Sequence, residues 1–581
     1  MKYQKFKDWF LGDKKYFHWT LVFIVVLGFG LRVYNISDWY VFKADQSRDA
    51  NYLKEAYEKG PANLQLLGPK VDIAYLEGDH TSRGLSFRLG PFYYYAQYLN
   101  ALVFRSIDPW IMVIPDFLAS VLAILLFYFF VKIYFKEKNS LVLTTLFSCC
   151  FYLIQYARFS WNPNQLIFWE LLLVIALYKA SFEKDKIKAG WWVWTSFLSL
   201  AILAQVHILG ALGFPLIALI FWLIYRPKKI NFKFWLGGVL TFLILFSPMI
   251  VSEIKNKGDN TKRFFVIMTR EGREMGLKKR IRKTFERQGE FYGIALTSFH
   301  QRALKSIEDW GMKFFILSTI MLLLTLSRKL WIKKINLKFV VKPKPFLVLI
   351  FIWSVVYLIL FSKIVDDLNR ARYFLVIAPI PFILIGYWMK TLRNIKKKYF
   401  ANLIIPVFII FFIFSNLFAV YGWFKSLSEN KILDIRNPKM GYHDDLITLR
   451  DLKKAVEYMN SEVSGERKIC FFTPDYQHKN SIIYLQEIYY PDQKIMTFNF
   501  NKYFRDCDFF MFTHYEKGEK EIPEEFTENF KVVDKQKNGM SIIWKMEYVN
   551  ENKSAESLPE FFDKKTEDKD KRFKTWKSLS D

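Results

Sequence analysis

The chain has 581 residues, of which 52% are apolar and 19% aromatic, with 59 phenylalanines and a formal net charge of +28. That much aromatic surface excludes an ordinary water-soluble domain, and the apolar residues come in blocks close to the roughly 20 residues that a helix needs to cross hydrocarbon. The charge does not point to nucleic acid, because many basic residues sit in short loops between apolar blocks, where Lys and Arg fix membrane orientation, and no nucleic-acid motif of the usual kinds is present.

The N-terminal stretch Met1–His18 is basic, and no small-residue cleavage site follows the first apolar run. This predicts a retained first helix rather than a removed signal peptide. The pattern predicts eleven membrane segments: Tyr16–Ile36, Ile111–Phe135, Ser140–Arg158, Asn164–Phe182, Trp191–His207, Leu209–Tyr225, Phe232–Ile250, Met312–Leu326, Pro345–Phe361, Phe374–Met389 and Phe400–Trp423. The N-terminus and the loops Lys132–Lys138, Lys184–Lys188, Arg226–Lys233, Arg328–Lys344 and Lys390–Lys398 are rich in Lys and Arg, whereas Ser160–Pro163 and the turn at Ile208 hold none. The basic set is therefore expected in the cytoplasm. An odd number of spans then puts the C-terminus outside.

Three large segments are expected on the outer face: Ser37–Pro109, Ser252–Gly311 and everything after Lys425. The second holds 14 Lys/Arg against 8 Asp/Glu. Loops of that length obey the charge rule weakly, and a basic outer loop suggests contact with lipid phosphates. Past the last span the pattern changes. Asp444–Glu462 has helical periodicity, Lys468–Thr473, Lys494–Phe498, Asp508–Phe512, Lys531–Val533 and Ser541–Glu547 read as short strands, and a helix falls near Ser481–Ile488. The expected division is a membrane module over 1–424, with outer loops 37–109 and 252–311, a small α/β domain over 425–549, and a charged, disordered tail over 550–581. Of four cysteines, Cys149 and Cys150 lie in an apolar segment and Cys470 and Cys507 in the C-terminal region. No metal-ligand spacing and no disulfide framework are implied.

The first outer loop carries the richest chemistry. It opens with "WYVFKADQSRDANYLKEAYEKG" and closes with "FRLGPFYYYAQYL". Asp45 and Asp49 stand four residues apart, so a helix places them on one face, with Arg48 between them. A carboxylate just outside the membrane can serve as general base toward a hydroxyl. The plainer reading is a solvated helix start, where Asp is favoured by capping and by the macrodipole. A second set, "DDLNRARYFLVIAPIP", gathers Asp366, Asp367, Arg370 and Arg372 at the outer end of span ten. The planar fork of Arg suits phosphate, and ordinary interfacial charge is the alternative. In "YARFSWNPNQ", Asn162 and Pro163 fix a turn beside Trp161, either a candidate site or a hairpin with an interfacial Trp. His207 is ionisable and near the outer end of a span, which makes it a functional candidate or a packing histidine. No Walker loop, dinucleotide fingerprint or zincin motif occurs, so no nucleotide cofactor is expected.

These pieces together resemble the GT-C class of polytopic glycosyltransferases, and within it glycosyltransferase family 39, the protein O-mannosyltransferases and aminoarabinose transferases. The resemblance spans roughly Leu21–Met389. It rests on Arg32 in "GLRVYNI", the acidic "ADQSRDA", the Pro-containing "LGPFYYY", the large loop after span seven and "ARYFLVIAP", in that order. It implies a mainly α, polytopic membrane fold of about eleven helices, with the C-terminal α/β domain outside the cytoplasm. It further implies a polyprenyl-phosphate-linked sugar donor, a hydroxyl acceptor, membrane lipids as partners, inversion at the sugar carbon, and Asp45 as base. Cations such as Arg88 or Arg372 would meet the leaving phosphate. The aminoarabinose enzymes carry a metal, for which Glu77 and His80 are the ligand candidates here.

The sequence departs from the family in having Gln46 where an acidic pair is usual, and Gly90–Pro91 in place of Pro–Pro. The loop after span seven is too short for the β-trefoil of the eukaryotic mannosyltransferases, which points to a prokaryotic plasma membrane. Two other readings stay open from sequence. One is a transporter or flippase for a lipid-linked or polar solute, although the internal repeats and broken helices usual in transporters are not evident. The other is a non-catalytic assembly or sensor protein working through its C-terminal domain.

Overall fold

The computed structural model describes residues 15–71, 86–228, 230–269, 276–298, 305–334, 344–364, 371–393, 398–430, 447–465, 467–497, 506–515, 529–549 and 575–579. The N-terminal module comprises α1 (Lys15–Val33), α2 (Ala44–Lys59), the short pair β1 (Lys70–Val71) and β2 (Phe87–Arg88), α3 (Phe92–Phe104), α4 (Ile114–Lys132), α5 (Glu137–Cys149), α6 (Phe151–Tyr156), α7 (Leu166–Phe182), α8 (Lys186–Val206), α9 (Ile208–Ile224), α10 (Phe232–Lys255), α11 (Asp259–Thr269), α12 (Leu277–Thr297), α13 (Lys305–Lys334), α14 (Pro345–Lys363), α15 (Ile380–Leu392) and α16 (Lys398–Glu429). The eleven apolar segments read from the sequence all fall on helical structure. Among the described residues, seven stretches are long and apolar enough to cross a membrane by length and composition, and α9, Trp310–Leu326 and α15 are shorter apolar helices. The remaining segment is divided between α5 and α6. The chain is an integral, multi-pass membrane protein.

The division between α5 and α6 has a local cause. Cys150 adopts an extended conformation, which frees the backbone N–H of Phe151. Asn416 of α16 accepts that N–H at 2.8 Å and donates to the carbonyl of Leu296 at 2.8 Å. Irregular backbone at membrane depth is tolerated when protein groups satisfy it in this way. The break turns 151–166 inward, and every residue of that stretch is buried. Trp161, read from sequence either as part of a candidate site or as an interfacial residue of a tight turn, is 5% exposed.

Among its described residues the basic loop after span seven is helical. From Gln288 to Thr297 α12 is almost wholly buried, with Phe291 stacked on Phe374 at 4.8 Å.

The C-terminal domain contains α17 (Leu449–Glu462), β3 (Lys468–Phe472), α18 (Tyr476–Tyr489), β4 (Ile495–Thr497), β5 (Cys507–His514), β6 (Phe530–Asn538) and β7 (Ser541–Tyr548). The sheet order is β4-β3-β5-β7-β6. The first three strands are parallel and the last two add antiparallel. The strand expected at Lys531–Val533 runs longer, because β6 is an exposed edge strand whose Lys-rich sequence lacks alternation. Such charge keeps an open edge from pairing with another chain. Its turn into β7 passes through Gly539 at φ +59°, a left-handed conformation that glycine adopts without steric cost.

Three sequence expectations change in this region. Cys470 and Cys507, which implied no pairing by spacing, form a disulfide between neighbouring strands β3 and β5. The last membrane helix continues to Glu429, past the expected boundary at 424. Residues 575–579, assigned to a disordered tail, are packed against the first outer loop.

The C-terminal domain sits on the first outer loop. The Leu449 and Arg450 N–H groups donate to the carbonyls of Tyr40 and Asp38 at 2.8 and 3.0 Å. The Tyr484 hydroxyl donates to the Ile107 carbonyl at 2.8 Å. Lys54 pairs with Glu487 at 2.6 Å, and Lys453 with Asp108 at 3.2 Å. Both ends of the loop are thus held from above.

Candidate functional site

Helix α2 begins eleven residues past the end of α1, since 44 − 33 = 11. Its start is fixed by side chains from two directions. The Gln46 carboxamide oxygen accepts the Lys43 backbone N–H, and its NH₂ donates to the Ser160 carbonyl at 3.0 Å. Ser160 in turn shares a 2.6 Å hydrogen bond with the Tyr40 hydroxyl. The residue that stands where the family has an acid therefore acts here as a bracket between the first outer loop and the turn before α7.

The helical spacing brings Asp45, Arg48 and Asp49 together, as the sequence predicted. The Arg48 guanidinium donates to Asp45 Oδ1 at 2.9 Å through Nη1 and lies 2.8 Å from Asp49 Oδ1 through Nη2. The two carboxylates differ in environment: the Asp45 side chain is 33% exposed and that of Asp49 1%. Asp49 also accepts the Tyr94 hydroxyl at 2.9 Å, while its Oδ2 is buried with no partner among the described residues. Burial pushes the Asp49 carboxyl up to about 6, outweighing the nearby Arg48. Burial alone would lower Arg48, but Asp49, Tyr94 and Asp45 together hold its guanidinium well above the usual value. Arg48 is therefore a permanent cation clamped between one accessible and one buried carboxylate.

The closing motif of the loop supports this cluster. Gly68 and Gly90 approach so closely that a Cβ on Gly68 would run into the Gly90 carbonyl. The Gly68 N–H donates to the Leu89 carbonyl at 2.7 Å and the Leu89 N–H to the Pro69 carbonyl at 3.1 Å. Gln205 of α8 caps the start of α3 by accepting the Phe92 N–H at 3.2 Å. Arg88 is 3% exposed. Its backbone is locked by Asn260 of α11, which accepts the Arg88 N–H at 2.6 Å and donates to its carbonyl at 3.0 Å. The loop after span seven thus positions Arg88, whose charge acts on Tyr94.

A second group lies on the turn before α7. The Arg372 guanidinium stands 5.2 Å above the Trp161 ring, and the His207 ring is 6.1 Å from Tyr373. His207 Nδ1 accepts the Leu209 N–H at 3.2 Å, capping α9, so the histidine has a structural task. Asn162 donates to the Val206 carbonyl at 2.5 Å and serves the same junction. Arg370, with Asp366 and Asp367, lies outside the described residues, as do Glu77 and His80. Among the described residues no group of three or more His, Cys, Asp or Glu could hold a metal ion.

Several buried groups escaped the sequence reading. Asp116, in the first turn of α4, is fully buried and accepts the Trp161 N–H at 3.0 Å. It was hidden inside an apolar run. Tyr94, Gln205 and Asn260 likewise give no sequence signal, because their role depends on which helix meets which.

Residues 88–251 match the family model described as dolichyl-phosphate-mannose-protein mannosyltransferase. No curated protein matches the chain. Among solved structures, ArnT from Cupriavidus metallidurans bound to undecaprenyl phosphate is similar at 12% identity, over 92% of this chain and 98% of that one, with a TM-score of 0.51. The apo state of ArnT aligns over 91% and 97% at 12% identity, with a TM-score of 0.48. The oligosaccharyltransferase AglB from Archaeoglobus fulgidus, in complex with an inhibitory peptide and a dolichol-phosphate, aligns over 88% and 70% at 12% identity, with a TM-score of 0.47. Residues 88–251 thus resemble that family, and the chain shares the fold of ArnT.

Proposed function

We propose that the chain moves a monosaccharide from a polyprenyl-phosphate-linked donor to a hydroxyl acceptor on the extracytoplasmic face, with inversion at the sugar carbon. The observation that carries this reading is the Asp45–Arg48–Asp49 cluster at the start of α2, just past the first span. The undecaprenyl phosphate of the similar ArnT structure supports a lipid-phosphate donor. The basic loops support a cytoplasmic N-terminus in a plasma membrane. The Cys470–Cys507 bridge supports an outer C-terminus, because disulfides persist in oxidising compartments.

In this reading Asp45, the more accessible carboxylate, takes the acceptor hydroxyl proton. The freed oxygen attacks the anomeric carbon opposite the phosphate, the bond from that carbon to the phosphate oxygen breaks, and the lipid phosphate leaves with the electron pair. Arg88, Arg370 and Arg372 are the cations assigned to that charge, since groups aimed at developing charge lower the barrier most. Asp49, held by the Tyr94 hydroxyl, positions Arg48, and Arg48 aims Asp45. The C-terminal domain positions the loop and is not itself the catalytic centre.

The test is purified protein in detergent with synthetic polyprenyl-phosphate sugars and hydroxyl acceptors. The expected result is release of polyprenyl phosphate and a product of inverted anomeric configuration. A product of retained configuration would contradict the single in-line attack. Absence of release across a panel of sugars would overturn the donor class.

A further inference from the structure

The segment Thr575–Leu579 returns to the first outer loop after the C-terminal domain has ended at Tyr548. Thr575 forms an antiparallel bridge with Gln65. The Trp576 N–H points to the Leu64 carbonyl at 3.4 Å, and its indole N–H donates to the Tyr95 hydroxyl at 2.8 Å. The segment is also folded on itself. The Thr575 N–H donates to Ser578 Oγ at 3.2 Å, the Ser578 N–H to Thr575 Oγ1 at 3.2 Å, and the Ser578 hydroxyl to the Thr575 carbonyl at 2.7 Å. It is therefore a small preformed plug.

The seat is joined through the chain to the candidate site on two sides. Leu64 and Gln65 lead into the Gly68–Pro69 stretch that pairs with Leu89, next to Arg88. Tyr95 follows Tyr94, which bonds Asp49. Backbone bridging to a short edge together with one aromatic anchor is a mode by which proteins take up extended peptide segments. Trp576 remains 37% exposed on its seat, so its anchor is partly open to solvent. The connection through residues 550–574 keeps the plug nearby at an effective concentration on the order of mM. A partly open anchor on a tethered plug suits exchange rather than permanent closure.

We propose that Thr575–Leu579 is a cis-acting strap on the Leu64–Gln65–Tyr95 edge that must leave for the acceptor to approach the site. The gating role rests on the glycosyltransferase reading, whereas the docking does not. The strap follows the C-terminal domain, which the proposed orientation puts outside the membrane, so in that orientation it competes with the acceptor rather than with a lipid-borne donor.

The experiment uses three forms of the full-length protein: wild type, a deletion of residues 575–581, and Trp576→Ala. Hydrogen exchange of the 60–69 region reads docking without any need for activity. The expected result is several-fold faster exchange in both variants, restored when a synthetic peptide of residues 571–581 is added in trans at mM concentration. Unchanged exchange in the deletion would overturn the docking. In transfer assays the deletion should lower the acceptor KM several-fold and leave the donor KM unchanged. A fall in kcat with unchanged acceptor KM would show that the strap supports the site, and would overturn the gating. If no variant transfers sugar while exchange responds to the strap, the transferase reading fails and the gating fails with it, and the docking stands.

Discussion

Asp45→Asn is the perturbation that most sharply separates chemistry from structure at this site. The exchange preserves shape and one carbonyl-type acceptor, but removes the charge and the capacity to take a proton. Its structural consequence is small on the geometry. Asp45 is a third exposed and pairs with Arg48 at 2.9 Å, and exposed pairs of that kind contribute about 0.2–1 kcal/mol. A loss of about 1 kcal/mol in the aim of Arg48 would slow transfer by about fivefold. Losing a general base instead costs about 10²–10⁴ in rate, which is about 3–5 kcal/mol of barrier. The two explanations therefore differ by more than an order of magnitude. The assay is transfer from a synthetic polyprenyl-phosphate sugar in detergent, with inserted and folded protein verified by a thermal melt. A reduction of at least about a hundredfold with an unchanged melt is expected. If Asp45→Asn stays within about fivefold of wild type while Asp49→Asn is inactive, the base lies one helical turn further on.

Asp49 should give a pH signature. Its carboxyl lies at about 6 in the folded protein against about 4 unfolded. The folded state therefore holds the extra proton between those values, and stability is greatest below the window and falls as pH rises through it. The fall amounts to about 3 kcal/mol, and Asp49→Asn should flatten it in melts recorded from pH 4 to 7. An equal slope in wild type and variant would contradict the burial argument. Arg370→Gln with Arg372→Gln should weaken donor binding more than folding, read by binding of a fluorescent polyprenyl phosphate. Equal donor affinity in the double variant would remove these residues from the phosphate site. Cys470→Ser should destabilise the C-terminal domain by about 2–4 kcal/mol, because the bridge closes a 37-residue separation. A guanidinium melt unaffected by the substitution or by reductant would show that the bridge does not form.

The membrane module was legible because bilayer physics constrains the sequence. Apolar runs and basic loops located all eleven helical segments, and the period of the α-helix placed Asp45, Arg48 and Asp49 on one face. The C-terminal strands were legible through short runs of β-formers between turn signals. β6 was read too short because an edge strand is selected for charge rather than for alternation. These features are local, so a window of some twenty residues contains the information that specifies them.

What stayed hidden depends on contacts between distant parts of the chain. The helical period put Asp45 and Asp49 on one face, and the difference in their burial appears only in the packing around α2, where Tyr94 of α3 meets Asp49. Asp116 gave no signal inside its apolar run, because the Trp161 N–H that it accepts comes from the inward turn at 158–165. That inward turn follows from the break at Cys150, which in turn depends on Asn416, 266 positions later by the numbering, 416 − 150 = 266. Arg88 offers the same lesson. Its residue type suggested phosphate, but what fixes its place is Asn260 on the loop after span seven. The two outer loops therefore form one unit, and substitutions at Asn260 should act on Arg88 rather than on the loop's own charge. The site is assembled from first-loop residues held by groups on α8, on α11 and in the turn before α7, which explains why motifs in the first loop alone suggest the chemistry and cannot specify the geometry.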